Sequence, residues 1–118
     1  MNAAFNGYLF KKRIDITKYC NGDERFVTLR EPSSQEFLKI IDGADKGGDD
    51  GDIVMMKNLI PLVPDLIFEH NFFDAEKNEK KISNREVAEF LCSKIDLMVD
   101  LTVQYVSSLP LANGNAGK

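Results

Sequence analysis

Five aspartates between residues 42 and 52 (Asp42, Asp45, Asp49, Asp50 and Asp52) form the densest group of oxygen ligands in the sequence. Oxygen clusters of this kind bind calcium. An EF-hand loop needs oxygen donors at its third and fifth positions, glycine at the sixth and glutamate at the twelfth. Counted from Asp42, the third position is Ala44 and the twelfth Ile53; counted from Asp45 they are Gly47 and Met56. Neither frame fits, so residues 42–52 read as a solvated, mobile acidic loop. Cys20, His70 and Cys92 could supply sulfur and nitrogen ligands, yet no two stand at the short spacing of a zinc site. Cys92 falls on or beside an apolar helix face, where a thiol packs as a small hydrophobe. His70 reads as the last residue of an apolar helix, where positive charge suits the helix dipole. Gly43, Gly47, Gly48 and Gly51 lack the spacing and terminal Lys-Ser/Thr of a phosphate loop. The expectation is a protein with no catalytic residue, no metal site and no cofactor.

Composition narrows the partners. The chain has 118 residues, 15 basic and 19 acidic side chains, and a net charge of -4. Residues 42–52 hold five Asp against one Lys, so they account for all of that surplus. The remainder is neutral, which argues against nucleic acid, because phosphate binding needs a concentrated basic patch. Lys11-Lys12-Arg13 is the best basic run and is followed at once by Ile14-Asp15. The longest apolar stretch, Leu59 to Phe68, is cut by Pro61, Pro64 and Asp65, so no membrane span is expected. Two distant cysteines and the absence of signal-peptide regions point to a reducing cytoplasm.

The length suits one domain, drawn here as residues 1–110, with residues 111–118 a disordered polar tail. Ile14 and Ile16 alternate with polar neighbours, Asn21-Gly22 tolerates positive φ, and Phe26-Val27-Thr28-Leu29 resumes a β-favouring run. These predict an N-terminal β-hairpin. Ser33 to Glu36 forms a capping box that opens a short helix ending at Gly43. Ile53, Met56, Leu59 and Ile60 recur at helical spacing behind an Asp52 cap. The prolines predict a break near Leu62-Val63, then a second helical segment carrying Leu66, Ile67, Phe68, Phe72 and Phe73. Asp74 to Ile82 reads as a polar loop. A second capping box, Ser83 to Glu86, opens one long helix running to Pro110. Its apolar face is Val87, Phe90, Leu91, Ile95, Met98, Leu101, Thr102 and Tyr105. The fold class is therefore α+β and mostly α: a hairpin, then about four helices, the last long and amphipathic.

Apolar surfaces are what remain for function. Phe68, Phe72 and Phe73 form an aromatic group beside a polar loop, and Leu97 widens the apolar arc of the last helix around Met98 and Leu101. Phe68, Phe72, Phe73, Leu97 and Leu101 are thus the candidate protein-binding residues.

The run Val27-Thr28-Leu29-Arg30-Glu31-Pro32-Ser33, together with Lys57-Asn58-Leu59-Ile60-Pro61-Leu62 and the closing capped helix, resembles the tail assembly chaperones of long-tailed bacteriophages and prophages. The likeness covers most of residues 12–108. It implies a non-enzymatic role in the bacterial cytoplasm: binding the apolar, helical tape measure protein and keeping it soluble while tail tube subunits polymerise. It also implies self-association, contact with the tail tube protein, and a frameshifted longer product joined after Asn113 to Lys118. The alternative expectation is a small cytoplasmic adaptor or regulatory module that binds another protein helix.

Overall fold

The alternation around Ile14 becomes strand β1 (Lys11–Asp15) in the computed structural model, which describes residues 10–44, 50–74 and 80–109. It pairs antiparallel with β2 (Phe26–Arg30), Lys11 opposite Arg30 and Ile14 opposite Val27. Ile14, Val27 and Leu29 turn inward and are buried. The connection is longer than a two-residue turn: a single 3-10 turn (Thr17–Tyr19) precedes Asn21 and Gly22, both at positive φ. The Asp15 carboxylate accepts from the Thr17 amide at 2.8 Å and holds the start of this loop.

Helix α1 (Ser34–Ile41) begins with the expected capping box, and Gly43 at φ 81° follows its end. Helix α2 (Gly51–Leu59) starts earlier than predicted: Asp50 is the N-cap residue without a side-chain cap bond, and Asp52 lies in the first turn. Asn58 on α2 donates to the carbonyls of Ile40 and Asp42 at 3.0 and 2.9 Å, satisfying the exposed end of α1. The centre of the acidic loop, residues 45–49, and the tail beyond residue 109 lie outside the described residues.

The proline-rich segment departs from expectation. A 3-10 turn (Ile60–Leu62) leads into one helical turn, α3 (Val63–Leu66), and the chain then extends as β3 (Ile67–His70). β3 pairs antiparallel with β2, so the hairpin becomes a three-stranded sheet in the order β1-β2-β3. The register slips at Thr28/Leu29. Phe68 is the extra residue there, and the bulge destroys the two-residue period that would have marked a strand. Asn71 locks the end of β3: its Oδ1 accepts from the Phe26 amide at 2.9 Å and its Nδ2 donates to the Glu24 carbonyl at 2.9 Å. Part of the expected polar loop is also ordered, because β4 (Phe73–Asp74) pairs with β5 (Lys80–Lys81).

The closing helix is two helices, α4 (Asn84–Cys92) and α5 (Ile95–Ser108). Its capping box at Ser83 forms as expected. At 100° per residue, an unbroken helix would set Lys94 in the middle of the stripe containing Leu91, Met98 and Leu101. Burying an unpaired ammonium there is far costlier than breaking the helix. Ser93 ends α4 with its amide and hydroxyl both on the Phe90 carbonyl, and Lys94 extends outward at φ -119°.

α5 packs on β1 and α2, while α3 packs on α4. The core between them joins Ile14, Val27 and Leu29 of the sheet to Leu59, Leu66, Leu91, Met98 and Tyr105. The class read from the sequence holds: α+β and mostly α, opening on an antiparallel strand pair and closing on the longest helix.

Candidate protein-binding surface

The Arg30-to-Ser33 segment is a joint. Arg30 forms a bidentate pair with Glu36 at 3.0 and 3.1 Å, and its Nε donates to the Asp65 carbonyl at 3.2 Å. The Tyr105 hydroxyl donates to the Arg30 carbonyl at 2.5 Å. One arginine thereby ties β2 to α1, α3 and α5. The guanidinium hydrogen bonds pull the Glu36 carboxyl down to about 2, against a loss of solvation that works the other way. Burial drives the Tyr105 hydroxyl well above its ordinary value, so it remains a donor.

The five candidate residues separate. Leu97 and Leu101 are core, at 0% and 1% exposure, and present no surface to a partner. Within α5 alone the buried arc runs through Leu97, Met98, Leu101, Thr102 and Tyr105, which puts Leu97 inside the stripe rather than beside it. Phe72 is also inside: its ring meets Phe90 at 5.6 Å and the edge of His70 at 5.8 Å. Phe68 and Phe73 remain at the surface, 53% and 38% exposed. Each carries a cation, with Lys11 Nζ 4.0 Å from the Phe68 centroid and Arg25 Cζ 5.0 Å from that of Phe73.

His70 is not at a helix end. It is buried on β3, where its Nδ1 accepts from the Phe72 amide at 3.0 Å. Loss of solvation, with Lys81 nearby, lowers its pKa, so the ring stays neutral. Cys20 and Cys92 are half-buried free thiols, both held above the ordinary thiol range by burial. Among the described residues no group of three His, Cys, Asp or Glu side chains is placed to hold a metal ion. Among them, too, no helix is long and apolar enough to cross a membrane.

The sequence reading missed a partly exposed apolar stripe on α5. Ile95, Val99 and Val103 stand at i, i+4 and i+8 on α5, with Ile95 65% and Val103 39% exposed and Val99 half-buried. Beside them run Asp96, Asp100 and Gln104, and Asp100 accepts from the Tyr19 hydroxyl and the Gln104 amide at 3.1 Å each. The four-residue spacing is visible in the sequence, but an unbroken helix places Ile95 in its apolar face. The geometry is that of a surface helix with a narrow apolar stripe beside a carboxylate row, suited to a second helix laid alongside. Comparison with protein-family models, curated proteins and solved structures finds no match to this chain.

Proposed function

We propose that the chain is a non-enzymatic assembly protein of the tail-chaperone kind. In the cytoplasm of a bacterial host it binds the tape measure protein and holds it soluble while tube subunits polymerise. The observation that carries this reading is the Ile95–Val99–Val103 stripe. It offers an apolar helical partner a two-turn seam, and the adjoining Asp96 and Asp100 keep the loaded surface wetted. The likeness in Val27–Ser33 and Lys57–Leu62 supports the reading from the sequence side. Those segments work as joints, through Arg30 and Asn58, so the contacting side chains are sought on α5 instead.

Co-expression with the tape measure protein encoded in the same gene neighbourhood tests this. A co-purifying complex is expected, lost when Ile95 and Val103 are both replaced by Asp. Both sites are exposed, so the variant should keep its stability to within about 0.5 kcal/mol. Two folded, soluble proteins that fail to associate would overturn the assignment.

A further inference from the structure

A cavity of about 430 Å³ opens between the β1–β2 loop and α4. Its floor is apolar, formed by Phe72, Val87 and Phe90, while Arg25, Lys94 and Glu86 stand around it. We propose that this cavity binds an apolar carboxylate: an organic acid whose ring or branched body rests on the floor and whose carboxylate lies between Arg25 and Lys94.

The size fits, since pockets for small ligands start at about 300 Å³. The charges fit as well. Neither Arg25 nor Lys94 has an ion-pair partner among the described residues, where the pairs are Lys18–Asp100 and Arg30–Glu36. Arg25 spends one Nη1 bond on the Glu24 carbonyl at 3.0 Å and keeps the rest of its fork. Glu86 is already committed: its Oε1 accepts from the Ser83 amide and hydroxyl at 3.4 and 3.1 Å, which draws its charge to the start of α4. Both cations line the cavity: Lys94 Nζ stands 5.8 Å from the centroid of the Phe90 ring on the floor, and Arg25 Cζ 5.0 Å from that of Phe73 at the surface.

Two backbone features hold the arrangement. Asn21, at φ 55°, lines the cavity from the loop side. Lys94, on the cavity's rim, follows the break at Ser93 in extended backbone at φ -119°. An apolar floor under two single cations selects a monoanion with a hydrophobic body over a phosphate, which would call for more donors at its oxygens. The site is separate from the stripe on α5, and either can fail without the other.

Titrating the full isotope-labelled chain with hydrocinnamate tests the proposal by NMR. Saturable shifts are expected at Asn21, Val87, Phe90 and Lys94, with the neutral amide, hydrocinnamamide, at least about tenfold weaker. Arg25→Gln and Lys94→Gln should each weaken the acid about fivefold or more while leaving the rest of the spectrum in place. A parallel titration with N-acetylphenylalanine separates sources: tighter binding than hydrocinnamate assigns the site to a polypeptide C-terminus, weaker binding to a free organic acid. Equal affinity for acid and amide, shifts elsewhere, or no saturation by about 10 mM overturns the proposal.

Discussion

Leu97 and Val103 lie six residues apart on one helix and have opposite surroundings, the first fully buried and the second 39% exposed. Leu97→Ala should therefore cost about 2–5 kcal/mol and Val103→Ala under about 0.5, measured by chemical denaturation. Glu36 makes a sharper prediction. Its folded pKa of about 2 lies below the ordinary 4.5, so the unfolded chain takes up its proton first. Its contribution is present above pH 4.5 and is lost as pH falls from there towards 2. Stability measured down that window should decline, and Glu36→Gln should flatten the decline while lowering the value at neutral pH. Tyr105→Phe removes the donor to the Arg30 carbonyl and should cost about 1–3 kcal/mol with no change in fold. The Tyr105 role could not be read from the linear sequence, because it depends on a partner brought in by packing. Arg30 and Tyr105 stand 75 residues apart.

Secondary-structure elements were legible where their signals are local. Ser33/Glu36 and Ser83/Glu86 are reciprocal caps that need four consecutive residues and nothing else, and both formed as written. Ser33→Ala and Ser83→Ala should each cost about 1 kcal/mol. Because they cap different helices, the double variant should lose close to the sum, which denaturation of all three chains checks. β3 was illegible for a physical reason: the bulge at Phe68 leaves Ile67 and His70 buried three apart, a spacing that imitates a helix. The break before α5 was hidden by apolar periodicity that continues across it in phase. Lys94 was the sole sign, as a charge at a position where the period demands an apolar side chain. An unbroken helix puts Ile95 in the apolar face and Leu97 beside it; in the structure Ile95 is exposed and Leu97 buried, while Phe68 and Phe73, on other elements, stay at the surface.

At the scale of the whole chain, β2 is the centre of the molecule, with β1 on one side and β3 on the other. Its neighbours come from very different distances in sequence: the loop to β1 is short, while Phe26 meets Asn71 across 45 residues. During synthesis, at about 5–20 residues per second, the far edge of β2 therefore waits several seconds for its partner strand. Until then Ile14, Val27 and Leu29 lack the later partners that bury them in the folded chain. Lys11, Lys12 and Arg13 lie along the opposite edge, where positive charge discourages pairing with a neighbouring chain. The basic run that looked too short to bind a polyanion thus guards one side of a half-made sheet, and the time before β3 emerges is when aggregation on crowded polysomes would begin.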